Sequence, residues 1–209
     1  IRKYFNTYYV PNNMAVILSG DFNPDHAIAK IDKAFSYMKE KSVPEYTFAP
    51  EDAITSPVIK EVVGPDAESV TIAFRLPSNQ DKDAALANLV GSILTNGKAG
   101  LIDLNLVKKQ KLLKASAYSY LLVDHGLLYI SASPSQGQSL EDVKKLLLNE
   151  IENLKKGNFD DDLIPSIVNN IKKHKIQQTE SYGDRAYMLM DAFTGKLNWR
   201  DQVAYVNDL

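Results

Sequence analysis

Histidine is the first place to look for chemistry, and the chain has 3 of them. His26 follows Asn23-Pro24-Asp25, His125 sits in Val123-Asp124-His125-Gly126, and His174 sits in Lys172-Lys173-His174-Lys175. Two zinc-binding histidines on a helix are usually four residues apart, so that both imidazoles share one face. No two histidines here have that spacing, and they read as surface or turn residues. There is no cysteine, hence no thiolate metal site and no disulfide framework. Asp21-Phe22-Asn23-Pro24-Asp25 opens like a calcium loop. The match fails at its sixth position, where His26 replaces glycine, and at its twelfth, where Asp32 replaces glutamate. A capped helix start explains the same residues, with Asn23 as cap and Pro24 in the first turn. Asp160-Asp161-Asp162 likewise suits the positive end of a helix dipole. Lys108, Lys109, Lys111 and Lys114 read as a solvated basic face, and Tyr118, Tyr120 and Tyr129 as packing residues of a hairpin. The expectation is therefore no catalytic residue and no metal ligand, with no substrate-binding residue assignable.

The elements that would carry these residues follow from periodicity. The organising stretch runs from Tyr8 to Phe35. Pro11-Asn12-Asn13 is turn chemistry. Met14 to Leu18 is an unbroken apolar run, the pattern of a strand buried on both faces. After the Asn23 cap, Ala27, Ile28, Ile31, Ala34, Phe35 and Met38 recur at helical spacing and predict a buried stripe. From Lys39 to Pro57 no period is visible, and Pro44, Pro50 and Pro57 punctuate an extended linker.

Val58–Val63 and Ser69–Leu76 read as strands with a turn at Pro65-Asp66. Asp81 reads as the cap of a helix lined by Leu86, Leu89, Val90, Ile93 and Leu94, ended by Asn96-Gly97. A shorter helix carries Leu101, Leu104 and Leu106. Residues 115–123 and 126–133 read as a hairpin. Ser139 caps a helix with Val143, Leu146, Leu147, Ile151 and Leu154 on one stripe, and Gly157 stops it. Asp160–Asp162 start another, burying Leu163, Ile164, Ile167, Val168 and Ile171. The tail from Glu180 reads as helical, with breaks at Gly183 and Gly195. The mixed order predicts an α+β fold, a two-layer, antiparallel-rich sheet with helices on one face.

Composition narrows the function classes. The chain has 209 residues, 44% hydrophobic and 24% charged, ordinary values for a globular protein. A net charge of -2 with scattered Lys and Arg argues against nucleic acid. No apolar run approaches the roughly 20 residues that span a bilayer. The expected setting is soluble, cytoplasmic or periplasmic. The chain opens on Ile1 and stops at Leu209, and reads as an excised fragment.

Tyr8-Tyr9-Val10-Pro11-Asn12-Asn13-Met14, the apolar run and Gly20-Asp21 resemble the segment that opens the non-catalytic domain of insulinase-like zinc metallopeptidases, the family of pitrilysin and the mitochondrial processing peptidases. Gly100-Leu101-Ile102-Asp103-Leu104-Asn105-Leu106 is similar to that family's Gly-Leu-Phe-x-x-Leu helix. The resemblance implies the processing-peptidase/LuxS-like metallohydrolase fold. It implies a helix–strand–helix tail of the preceding catalytic domain over residues 1–40, a linker over 41–57, and a non-catalytic domain over 58–209 truncated at its C-terminus. Zinc would sit upstream of Ile1, in the parent's catalytic domain, on a His-x-x-Glu-His motif with a third carboxylate ligand, and this fragment would hold no cofactor. Active members carry an arginine and, seven residues on, a tyrosine that help hold the substrate carbonyl; the aligned positions here are Val107 and Lys114. The implied role is one wall of a chamber around a peptide, with the parent's catalytic domain as partner. The rivals are a partner subunit of the same fold with no peptidase activity, and an unrelated α+β binding domain. Finally, Met14–Leu18 is expected to dock on a sheet edge, either of its own domain or of a second chain in a strand-swapped homodimer.

Overall fold

The computed structural model of the chain describes residues 1–47, 49 and 51–208. Pro50, one of the punctuating prolines, lies outside them. The chain forms two compact units, Ile1–Gly64 and Pro65–Leu209.

In the first unit, α1 (Arg2–Tyr8) leads into a 3-10 turn at Pro11–Asn13, and α2 spans Pro24–Phe35. The cap is as the residue types require. Asn23 Oδ1 accepts from the His26 N–H at 3.0 Å, and Pro24 fills the first turn, where a missing N–H costs nothing. Asn12 grips the start of the linker: its Nδ2 donates to the Lys41 carbonyl and its Oδ1 accepts the Lys41 N–H.

Two expectations fail here. Met14–Leu18 forms no strand, and Met14, Val16 and Leu18 are exposed. An extended segment becomes a strand only with a ladder partner, and none of the described residues supplies one. The α2 stripe is not buried either: α1 and α2 bury no residue, and Ile28 and Phe35 are exposed. Met14, Val16, Ile31, Phe35 and Met38 line only a shallow pocket. A helix of high amphipathicity alone has no second layer to bury its stripe. Val58–Val63 is a third correction. It has no strand partner among the described residues, and Val62 and Val63 are almost fully exposed.

The second unit has a core. β1 (Val70–Leu76), β2 (Lys114–Leu121) and β3 (Gly126–Ser133) form an antiparallel sheet in the order β1-β3-β2. α3 (Ala84–Leu94) and α4 (Leu140–Lys155) pack on it. α5 (Leu163–Glu180) packs on α3, and α6 (Tyr182–Thr194) and α7 (Trp199–Asp208) follow against α5. The core-facing set alternates along the strands: Ile72 on β1, Ala117 on β2, and Leu128, Ile130 and Ala132 on β3. It meets Ile93 and Leu94 of α3 and Val143, Leu147 and Ile151 of α4. This is the α+β, antiparallel, two-layer arrangement that the element order predicts.

Local signals place most boundaries well. Ser139 Oγ accepts from the Asp142 N–H at 3.1 Å and starts α4, and Gly157, with φ +67, follows its end. Four details differ. α3 begins at Ala84, because Asp81 holds the preceding turn through the Asp83 N–H instead of capping the helix. Leu86 lies off the buried stripe, which runs through Ala87, Gly91, Ile93 and Leu94. Ile164, expected to be buried at the start of α5, is exposed. The break before α6 falls at Ser181, whose hydroxyl accepts from the Asp184 N–H, so Gly183 lies inside the helix.

Candidate functional site

The face of the sheet turned away from α3 and α4 carries the tyrosines of the strands. Along β2 the alternation puts Ser116, Tyr118 and Tyr120 there, along β3 Leu127, Tyr129 and Ser131, and along β1 Thr71, Ala73 and Arg75. Tyr118 and Tyr120 are 51% and 58% exposed. They are not core packing residues. Tyr118 stacks on its cross-strand partner Tyr129 with ring centroids 5.2 Å apart, and the Tyr129 hydroxyl lies 3.3 Å from Thr71 Oγ1. Cross-strand aromatic pairs stiffen a sheet and still present a ring face and a polar tip. The result is an open face that presents tyrosine rings and hydroxyls.

The two edges of the sheet differ. Ala117 points its N–H and C=O outward from β2, and both are taken by Thr95, just past the end of α3. Next to it, Ser119 Oγ donates to the Ala87 carbonyl of α3. Gly91 permits this approach, since a Cβ there would lie 2.9 Å from the Ser119 nitrogen. α3 therefore closes the middle of β2 against strand addition. Beyond it lies a groove between α3, the end of β2 and the helices α5–α7, lined by Asn79, Asn88, Ser92, Leu121, Asp191 and Thr194 among others.

The candidate metal ligands are scattered. His26 is on α2, His125 at the β2–β3 turn and His174 on α5, and all three are exposed. Among the described residues, no three His, Cys, Asp or Glu side chains group so as to hold a metal ion. A zinc centre of the paired-histidine type does not fit these residues. Asp21, Asp25 and Asp160–Asp162 are exposed at helix starts, and Asp160 Oδ1 accepts the Asp162 N–H. Lys109 bonds Asn105, Lys108 bonds the Lys98 carbonyl, and Lys111 and Lys114 are exposed.

Val107 and Lys114 border a feature that the sequence did not announce. Residues Asp103–Val107 form a π-helical turn, with Lys108 N–H donating to the Asp103 carbonyl five residues back at 2.8 Å. The pattern Gly-Leu-Phe-x-x-Leu has two residues before its last leucine, and this chain has three, Asp103, Leu104 and Asn105. Leu101, Ile102 and Leu106 all stay buried, while Leu104 is turned out to 42% exposure. Two buried carboxylates brace the turn. Glu150 of α4 accepts from Asn105 Nδ2 at 2.9 Å and Asn153 Nδ2 at 3.1 Å. Asp103 accepts the N–H groups of Asn96 and Gly97. Val107 is half-buried and Lys114 exposed, and neither can supply the ring hydroxyl or guanidinium of the pattern.

The second unit is an antiparallel two-layer domain whose open sheet face carries tyrosines. Comparison with known proteins gives the family. Residues 1–171 match the peptidase M16 inactive domain, and the chain belongs to that family. It is 26% identical over 196 residues to the zinc protease PqqE of Helicobacter pylori (strain ATCC 700392 / 26695), covering 91% of this chain and 44% of that protein. Among solved structures, a protease from Helicobacter pylori superposes with a TM-score of 0.83 at 22% identity, over 99% of this chain and 51% of that one. The periplasmic protease PqqL of Escherichia coli gives 0.64 at 14% identity, over 99% of this chain and 24% of that one. A putative M16-like peptidase from Alicyclobacillus acidocaldarius gives 0.64 at 10%, over 90% and 46%. The chain thus spans about half the length, or less, of these relatives. No described helix is long and apolar enough to cross a membrane.

Proposed function

We propose that this chain is the non-catalytic half of a larger zinc metallopeptidase and that the open face of its sheet forms a wall of the peptide chamber. The observation that carries the reading is the exposure of Tyr118 and Tyr120 on the face opposite the helices. The catalytic zinc belongs to the other half of that protein, on a His-x-x-Glu-His helix. The first unit completes that catalytic domain with Met14–Leu18 as a strand, which accounts for two helices that bury nothing. In the isolated chain the same segment can pair with a second copy, giving a swapped dimer whose population rises with concentration.

The test uses the whole protein. Tyr118→Ser with Tyr120→Ser should raise KM for a peptide substrate roughly two- to tenfold per ring, the effect of an aromatic contact of about 0.5–1.5 kcal/mol. Zinc content should not change. Unaltered kinetics in a folded double variant would remove the face from the chamber.

Val107 and Lys114 favour a second reading, a partner subunit with no activity of its own. Zinc analysis of the whole protein separates the two. A whole protein lacking both zinc and a paired-histidine motif supports the partner subunit.

A further inference from the structure

The turn between α3 and the π-helical turn holds the chain's one Asn-Gly pair, Asn96-Gly97. Asn-Gly is the dipeptide in which the following backbone nitrogen meets least steric resistance in approaching the asparagine side chain, because glycine has no Cβ. Here both residues are exposed to water, yet nearly every polar atom of the pair is held. Gly97 N–H donates to Asp103 Oδ2 at 2.8 Å, and so does Asn96 N–H. Asn96 Oδ1 accepts from Lys98 N–H at 3.0 Å and Ala99 N–H at 2.8 Å, while its Nδ2 donates to the Ser92 carbonyl at 3.2 Å. Asp103 itself is buried, at 8% exposure. Gly100 keeps it close, since a Cβ there would lie 2.8 Å from Asp103 Oδ2.

We propose that Asn96-Gly97 is a latent deamidation site which the Asp103 carboxylate holds shut. In the open reaction the Gly97 nitrogen gives up its proton and attacks Asn96 Cγ. A C–N bond forms, ammonia leaves, and a cyclic imide results. Water then opens the imide at either carbonyl, leaving aspartate or isoaspartate, so the net change is NH2 for OH. Two features of the turn oppose the first step. A negative charge on the accepting carboxylate disfavours loss of the Gly97 proton, by the rule that like charge opposes ionisation. The bond to the Ser92 carbonyl and those from the Lys98 and Ala99 N–H groups fix the side chain, and reaching an attack geometry would break them.

The consequence of reaction follows from the same contacts. A carboxylate at position 96 would add a second negative charge to the turn in which Asp103 already accepts the Asn96 and Gly97 N–H groups. An isoaspartate would also lengthen the main chain by one carbon. Either change loosens the turn that ties α3 to the π-helical turn.

The experiment is peptide mapping by mass spectrometry, with isoaspartate labelling at position 96, after incubation of the 209-residue chain at mildly alkaline pH. The native chain should convert at least about tenfold more slowly than the same chain unfolded in urea. Asp103→Asn, checked for retained helical signal, should approach the unfolded rate. If that variant does not fold, Asp103→Glu takes its place, its displaced carboxylate giving a rate between the two. Native conversion as fast as in urea would overturn the proposal. So would a folded Asp103 variant that reacts no faster than the parent chain.

Discussion

Thr95 Oγ1 donates to the Ala117 carbonyl at 2.8 Å and accepts the Ala117 N–H at 2.7 Å, so one hydroxyl fills both outward backbone groups of an edge strand. Ala117 is buried, and without Thr95 these two part-buried groups would lose the partner they have in the fold. Thr95→Val keeps the shape and removes both bonds. It should cost about 1–3 kcal/mol, the penalty for unsatisfied buried polar groups. Thr95→Ser should recover most of it. Chemical denaturation of the two variants checks this, and equal midpoints for valine and threonine would mean that the edge is not closed by the hydroxyl.

Gly91 tests the same closure from the helix side. Alanine is the better helix former by about 1 kcal/mol. A Cβ at 91, however, would lie 2.9 Å from the Ser119 nitrogen and 3.1 Å from Tyr118 Cα, both backbone atoms that cannot swing aside. Overpacking of this kind costs about 1–3 kcal/mol. Gly91→Ala should therefore destabilise the protein despite its propensity. A stabilised Gly91→Ala would show that α3 can back away from β2 freely.

Leu147 and Leu106 are buried to 0% and 1%, and truncating either to alanine should cost about 2–5 kcal/mol. Leu104→Ala, by contrast, should move the midpoint little. By spacing alone Leu104 belongs to the buried stripe, and the π-helical turn rotates it out. A large loss at Leu104 with none at Leu106 would reverse the assignment of faces.

Glu152 gives a pH prediction with a clear sign. Its hydrogen bond from Lys155, at 2.7 Å, and then the Lys155 charge lower its pKa below the ordinary value. A depressed folded pKa contributes stability above the unfolded value and loses it as pH falls through the folded one. Both side chains are more than half exposed, so the contribution is small. Glu152→Gln should match the parent chain in acid and fall only marginally below it at neutral pH. A neutral-pH loss comparable to that of Leu147→Ala would contradict this.

For the isolated chain, metal analysis after dialysis should find no stoichiometric zinc, and a quenched-peptide assay no turnover. One zinc per chain with measurable cleavage would require ligands that the spacing of His26, His125 and His174 does not suggest.

Where residue types act on their near neighbours, the sequence was a sufficient guide. Asn23 with Pro24 at α2, Ser139 at α4, Gly157 at its end and the 115–133 hairpin all depend on contacts within a few residues, and all lie where those residues place them. The absence of a paired-histidine motif is likewise a statement about spacing. What only the tertiary structure decided needs a partner from far along the chain. Met14–Leu18 and Val58–Val63 have the apolar pattern of strands, but a strand exists through its neighbour's hydrogen bonds, and a sequence pattern cannot supply them. Tyr118 and Tyr120 read as packing residues by type and spacing, but the helices cover the other face of the sheet and leave both exposed. The π-helical turn that sends Leu104 outward is set by burying Leu101, Ile102 and Leu106 together, and by Glu150 reaching Asn105 from forty-five residues away.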